Sequence, residues 1–136
     1  MKNTIELTKD NIKEINYEDI IAVTIAESGA MGEPNGFYAV DKNLNVYHLN
    51  FYFTDIDGRD IVQVFPLLKT FKCFFGYVKK LDEDWNSFNM GYGNYLIVRK
   101  SIYYKVNLSI EKILGKAWMV SELYKKWYDV IKDACK

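Results

Sequence analysis

The sequence predicts an α+β domain, built on an antiparallel β-sheet of about four to six strands with helices mainly on one face. Three patterns lead to this expectation. Apolar and polar residues alternate around a central hairpin at residues 37–54, β-branched residues are concentrated at residues 20–26, and helical apolar stripes occupy the C-terminal third. With 136 residues, the chain has room for a single globular domain, residues 1–136.

The N-terminal part predicts a short helix, a strand and a loop, in that order. Thr8 or Asp10 is a suitable N-cap for a helix that continues to about Asn16. Residues 20–26 favour a strand because β-branched side chains pack well on a pleated surface. Since this strand has almost no polar side chain on either face, we expect it in the centre of the sheet or under helices. Residues 28–36 are rich in glycine and predict a long loop, whose spacing does not fit a phosphate-binding GxGxxG motif.

The central hairpin has its turn at residues 42–45. Asn43 and Asn45 tolerate left-handed dihedrals, which suits a short connection. Because side chains of a strand alternate between its faces, the second arm has one apolar face and one partly polar face. The apolar face carries Tyr47, Leu49, Phe51 and Phe53, and the other face carries Val46, His48, Asn50, Tyr52 and Thr54.

Residues 55–60 contain three aspartates and a glycine, as calcium-binding loops do. The glycine falls at position 4 instead of 6, and Pro66 stands where such a loop needs glutamate, so we exclude a calcium site. Residues 60–71 fit either a helix or a strand. The spacing of their apolar residues favours a helix capped by Asp57, although Pro66 interrupts it. The helical stripe would comprise Ile61, Val64, Phe65, Leu68 and Phe71.

Three strands and two helices complete the prediction. A short edge strand is expected at residues 74–78 and two longer strands at residues 85–90 and 94–100, with a bulge or tight reversal at the Gly-Tyr-Gly between the last two. Two consecutive helices follow, the first capped by Ser101 and the second at about residues 116–134. Their inward stripes comprise Ile102, Val106, Ile110 and Ile113, and then Val120, Leu123, Trp127, Ile131 and Ala134.

The composition excludes several classes of protein. No apolar run approaches the ~20 residues that span a bilayer, and the N-terminus has no apolar signal region, so we expect a cytoplasmic protein without a membrane partner. Frequent Lys, Asn, Ile and Tyr suggest a bacterial coding sequence. Cys73 and Cys135 lack CxxC spacing, which predicts neither a disulfide framework nor a cysteine-based zinc site. No cofactor is predicted.

Charge is unevenly distributed along a chain of zero net charge. Residues 1–60 hold five basic and eleven acidic residues, a net charge of −6, and residues 61–136 hold thirteen and seven, a net charge of +6. Without a basic excess, nucleic-acid binding is disfavoured. Either the two halves neutralise each other within the fold, or the acidic half presents a face to a basic partner.

Aromatic residues make up 16% of the chain, which fits either a tyrosine-rich core or an aromatic binding surface. On the two C-terminal helices, Tyr104, Leu108 and Trp118 lie opposite the inward stripes. Either these helices are covered on both sides, in which case Trp118 belongs to a core, or the three residues form an exposed patch for a protein partner or a second copy.

Few residues offer catalytic chemistry. His48 is the single histidine and would share a polar strand face with Asn50 and Tyr52, where it either acts in acid–base chemistry or satisfies a local hydrogen bond. Glu27 and Glu33 flank the glycine-rich loop and could form a carboxylate pair, although loop carboxylates are usually only solvated. Cys73 lies among phenylalanines, which makes its thiol inert. No catalytic residue and no metal site are assigned.

Two hypotheses remain. The favoured one is a small cytosolic binding module without catalytic activity that neutralises or regulates a protein partner, with Tyr104, Leu108 and Trp118 at the interface. Bacterial toxin-neutralising (immunity) proteins share its size and its lack of catalytic motifs, an analogy of size alone. The alternative is a small-ligand-binding protein or enzyme with a pocket between the face of His48, Asn50 and Tyr52 and the loop from Glu27 through Glu33 to Gly36.

Overall fold

The structure of the chain, a computed structural model, describes residues 4–26, 36–70, 84–91, 94–102 and 128–133. These residues contain the strands β1 Thr4–Glu6, β2 Ile20–Ala26, β3 Gly36–Asp41, β4 Val46–Asn50, β5 Trp85–Gly91 and β6 Asn94–Arg99. They also contain the α-helix α1 Gly58–Val64, 3-10 helices at Ile12–Glu14, Tyr17–Asp19 and Pro66–Thr70, and helical segments at residues 100–102 and 128–133. Within this part of the chain, no helix has the length and apolar character needed to cross a bilayer.

The six strands form one sheet in the order β1-β4-β3-β2-β6-β5. All neighbouring strands are antiparallel except β1 and β4, which run parallel. The α+β prediction with four to six strands is therefore confirmed, but the prediction of an antiparallel sheet is wrong at this edge. The edge was missed because β1 has only three residues, all exposed, and so carries no apolar alternation.

β1 is held in place by backbone and side-chain hydrogen bonds. The Leu7 N–H donates to the His48 carbonyl at 2.8 Å, which extends the ladder between β1 and β4. On the side away from β4, Asn11 Nδ2 donates to the Glu6 carbonyl at 2.8 Å. The helix predicted to reach Asn16 is replaced by the two 3-10 helices at Ile12–Glu14 and Tyr17–Asp19, which connect β1 to β2.

β2 confirms the predicted strand, with the predicted bounds. All seven of its residues are buried, and it lies between β3 and β6. Central strands covered on both faces read as continuous apolar runs, which explains why the sequence identified this one clearly. The strands predicted at residues 85–90 and 94–100 are also present as β5 and β6. Their register is irregular between Asn89 and Gly91, next to the Gly-Tyr-Gly where a bulge or reversal was expected, whose residues 92 and 93 lie outside the described part of the chain.

The sheet is covered on both faces, which corrects the expectation of helices mainly on one. On one face, a first core joins β2, β3, β4 and β6 to α1 and the adjoining turns. On the other face, a second core joins the same strands to the helical segments at residues 100–102 and 128–133. The first core includes Ile12, Val23, Ile25, Phe37, Leu49, Phe51, Ile56, Ile61, Phe65 and Ile97, and the second includes Ala22, Val40, Val46, Leu96, Val98, Ile102, Tyr128 and Ile131.

The helical interpretation of residues 60–71 is confirmed in its first half. α1 starts after Asp57, whose Oδ1 accepts from the Arg59 N–H at 2.7 Å, as expected of an N-cap. The α-helix ends at Val64 because proline at 66 cannot continue it, and a 3-10 helix follows. Ile61, Phe65 and Leu68 are buried in the first core, whereas Phe71 lies outside the described residues.

The hairpin turn differs in detail from its prediction. The left-handed residue is Leu44, with φ of 67°, and not one of the flanking asparagines. A three-residue hairpin loop has this form, a type I turn followed by one left-handed residue. The Leu44 N–H donates to the Asp41 carbonyl at 2.9 Å, and Tyr128 Oη donates to the Leu44 carbonyl at 3.0 Å. Packing of Leu44 against the second core therefore holds a backbone conformation that its side chain disfavours.

The predicted C-terminal helices are described only in part. Residues 100–102 are helical, so Ser101 lies inside the helix instead of capping it. Residues 128–133 are helical, and Ile131 is buried as predicted. The other residues of these two helices, the strand predicted at residues 74–78, and residues 28–35 of the predicted loop lie outside the described part of the chain; Gly36 begins β3.

Candidate functional site

The predicted site residues fall into two groups. His48, Asn50 and Tyr52 are described by the structure. Glu27 and Glu33 of the predicted pocket, and Tyr104, Leu108 and Trp118 of the predicted partner surface, lie outside the described residues. Of the predicted sites, the structure therefore describes the end of β4 and its surroundings.

His48 lies between β1 and β3 and contacts a side chain from each. Its Nδ1 is 2.7 Å from Glu6 Oε1, because the parallel register places Glu6 beside His48. Its ring stacks on Tyr38, directly opposite on β3, with centroids 4.4 Å apart. An ionised carboxylate only accepts hydrogen bonds, so with Glu6 ionised Nδ1 carries the hydrogen and a neutral imidazole presents Nε2 as an acceptor. The sequence did not single out Glu6, because no strand was predicted around it.

Asn50 ends β4 by folding its side chain onto the following backbone. Its Oδ1 accepts from the Tyr52 N–H at 2.9 Å and from the Phe53 N–H at 3.3 Å. Such a side-chain-to-backbone turn competes with a continuing strand. The second arm of the hairpin therefore stops at Asn50 instead of reaching Thr54, and Tyr52 lies in the turn beyond the strand.

We call residues 50–57 the aromatic turn. It is anchored by Phe51 and Ile56, which are 4% and 6% exposed in the first core. Between these anchors, Tyr52 is 63% exposed and Phe53 is 85% exposed. Extrapolated strand alternation had placed Phe53 on the apolar face, and the Asn50 turn breaks that alternation. The available signal was the group of turn-forming residues Asn50, Asp55, Asp57 and Gly58.

Hydrogen bonds fix the backbone on both sides of the exposed aromatics. Beyond the two bonds to Asn50, Thr54 Oγ1 accepts from the Ile56 N–H at 3.1 Å. Asp55 Oδ1 accepts from the Lys9 N–H at 3.0 Å, which ties the turn to the segment after β1. Asp57 then caps α1. The aromatic turn thus presents two large side chains from a backbone that its own polar residues hold.

The surroundings of the aromatic turn are acidic. The hydrogen bond between Asp55 and Lys9 joins the turn to the segment after β1. Together, residues 4–14 and 54–60 contain six acidic and three basic residues. Five of the six acidic residues are exposed, and Asp60 is half-buried. They are Glu6, Asp10, Glu14, Asp55, Asp57 and Asp60, with the basic residues Lys9, Lys13 and Arg59.

Two further polar clusters stabilise the fold. Asp41 is buried and accepts four hydrogen bonds at 2.9–3.0 Å, from the backbone of Asn43, the backbone and side chain of Asn45, and Tyr47 Oη. Burial, with the charge and hydrogen bond of Asp41, raises the pKa of Tyr47 to about 12. Arg99 donates to the carbonyls of Ile20 and Tyr17 and lies over the Trp85 ring at 4.3 Å.

These two clusters fasten the hairpin turn and the entry into β2, which gives their polar groups a structural role. Among the described residues, no group of three or more His, Cys, Asp or Glu residues is placed to hold a metal ion. No protein-family model, curated protein or solved structure gives a significant match to the chain.

Proposed function

We propose that the chain is a protein-binding module without catalytic activity, which engages a protein partner to neutralise or regulate it. The observation that carries this proposal is the 85% exposure of Phe53 on a turn anchored in the core at both ends. The predicted interface residues Tyr104, Leu108 and Trp118 remain part of the proposal. A cytoplasmic, bacterial setting is proposed with it, on the composition of the chain.

Physical reasons connect such a turn to protein binding. A fixed backbone loses little conformational entropy when a partner docks on it, so more of the contact energy appears as affinity. Large aromatic side chains on rigid loops are frequent anchors of protein interfaces, because they supply much contact area for few rotatable bonds. An isolated exposed apolar residue needs no explanation, but two adjacent exposed aromatics on a rigid turn favour a binding role.

The test is to isolate a partner and rebuild the complex. Tagged protein is used to capture partners from cells of the source organism, and the candidate is then purified and titrated by calorimetry. The proposal requires a saturable complex of fixed stoichiometry with the wild-type chain. It fails if no purified candidate binds. A Trp118→Glu variant reports whether the predicted helix surface contributes, provided that its thermal midpoint matches that of the wild type.

The alternative, a small-ligand site at His48, is supported by the contact between His48 Nδ1 and Glu6. A carboxylate that fixes one ring nitrogen orients the other nitrogen for a ligand or a proton. A metabolite thermal-shift screen tests this alternative. A ligand at ~100 times its dissociation constant should stabilise the chain by about 2.7 kcal/mol, and His48→Ala and Glu27→Gln should abolish that shift. If both variants retain the shift, the ligand binds elsewhere.

A further inference from the structure

We propose that Phe53 is the anchor of the interface and inserts into an apolar pocket of the partner protein, whose rim carries Lys or Arg side chains. This inference rests on the proposed protein-binding function and specifies its contact site and the chemistry of the partner. It depends on the rigidity of the aromatic turn and on the charges around it.

The anchor is pre-organised. The Phe53 N–H is bound to Asn50 Oδ1, and buried Phe51 and Ile56 fix the chain two residues before and three residues after it. The backbone at Phe53 is thus fixed by hydrogen bonding and by buried neighbours, and it holds the phenyl group out from the surface. A side chain that is 85% exposed also contributes little to folding, so it can be changed without loss of structure.

The charges select the partner. Asp55 and Asp57 lie two and four residues after Phe53, and Asp10 follows Lys9, whose N–H is bound to Asp55. With six acidic and three basic residues in the segments next to the anchor, this surface attracts a basic surface and repels an acidic one, which speeds association with the first and disfavours the second. Nucleic acids and anionic lipid surfaces are disfavoured for the same reason. The fitting occupant is a protein surface with an apolar pocket and a basic rim.

Two of these charges can be removed without disturbing the turn. In Asp55→Asn the side chain keeps an oxygen that can accept from the Lys9 N–H, and in Asp57→Asn it keeps an equally good N-cap. The double variant therefore changes the charge of this surface by two while preserving its hydrogen bonds. Phe53→Ala removes the anchor alone. Gln63, exposed on α1, supplies a control position outside the aromatic turn.

The experiment begins with a photo-crosslinking amino acid, p-benzoylphenylalanine, incorporated at position 53 or at position 63 of the full chain in cells of the source organism. We expect position 53 to give one dominant cross-linked protein that position 63 does not give. The cross-linked peptide should lie at an apolar pocket with Lys or Arg at its rim. That protein is then purified and used as the probe for binding measurements.

With that probe, Phe53→Ala should weaken binding roughly 30-fold or more, the loss typical of an interface hot spot. Phe53→Trp should retain most of the affinity. The Asp55→Asn/Asp57→Asn variant should slow association at low salt, and the difference should shrink at 0.5 M salt because screening removes it.

Several results would overturn the inference. A cross-link from position 53 only to a second copy of this chain, or to an acidic peptide, contradicts the proposed occupant. Full affinity of Phe53→Ala, or faster association of the Asn double variant, contradicts the proposed contact. If a partner forms a stoichiometric complex but does not cross-link at position 53, this inference fails and the proposed function stands. If no protein forms such a complex, both fail.

Discussion

Replacing Asp41 by alanine should destabilise the protein substantially, although the residue lies next to a surface turn. The carboxylate is 8% exposed and accepts four hydrogen bonds. A hydrogen bond to a charged group is worth roughly 1.5–3 kcal/mol, but a simple sum over four overestimates the loss. Water can reach exposed Asn43 and half-buried Asn45 after the substitution and replace part of their bonds. We therefore expect a loss of about 3 kcal/mol in the free energy of unfolding.

The bond from Tyr47 Oη to Asp41 Oδ2, at 3.0 Å, allows this reasoning to be tested separately from packing. Tyr47→Phe removes one bond to a carboxylate and should cost about 1.5 kcal/mol in the wild-type background. In the Asp41→Ala background the same change should cost close to nothing. A double-mutant cycle, measured by urea unfolding, should therefore give a coupling energy of about 1.5 kcal/mol.

A coupling energy below about 0.5 kcal/mol would refute this account, because the two side chains would then act independently. The control is Gln63→Ala, at an exposed position of α1 that takes no part in the Asp41 cluster. It should leave the unfolding midpoint of each background unchanged within error.

Three further predictions concern titration, burial and close backbone contact. Burial and Asp41 raise the folded pKa of Tyr47 to about 12 from the ordinary value of 10.0, so the folded state favours the protonated phenol. The resulting gain in the free energy of unfolding is complete below pH 10 and is lost as the pH rises from 10 to 12. Denaturant unfolding should therefore show a fall in the free energy of unfolding over this range, and the fall should be smaller in Tyr47→Phe. Ile97→Ala, fully buried, should cost about 3 kcal/mol in urea unfolding, against less than about 1 kcal/mol for Ile5→Ala at the exposed edge. Gly36→Ala should cost about 3 kcal/mol or more by the same assay, because the added Cβ would overlap the Leu49 carbonyl oxygen of β4; an unchanged midpoint would show that the two strands separate easily.

Local sequence patterns predicted the elements that local interactions determine. β2 and β6 were identified because apolar side chains dominate their strands, and the start of α1 because Asp57 is a strong N-cap. β1 was not identified, since its three exposed residues gain their structure from a strand about forty residues away. The turn conformation of Leu44 was not identified either, because the flanking asparagines were the residues expected to take left-handed dihedrals.

In the candidate site, too, the features set by residue type were predicted, and those set by contacts between side chains and strands were not. His48 was selected from the sequence by its residue type, whereas its partner Glu6 depends on the parallel pairing of β1. Phe53 was assigned to the core face by extending the strand past Asn50, and a single side-chain hydrogen-bond acceptor reverses that assignment. Patterns of apolar residues indicate which segments are buried, but the position at which a strand stops depends on such individual polar contacts.

The hydrogen bond from Asn11 to Glu6 has a consequence for how the protein behaves at high concentration. The Leu7 N–H points towards β4, so the Glu6 carbonyl of the same planar peptide points outwards, where a strand of another molecule would begin to pair. Asn11 Nδ2 already engages this acceptor at 2.8 Å. This engaged acceptor makes the described part of the β1 edge, Thr4–Glu6, a poorer template for fibril growth or for strand exchange between molecules. Asn11 therefore occupies one of the backbone acceptors with which an added strand would pair.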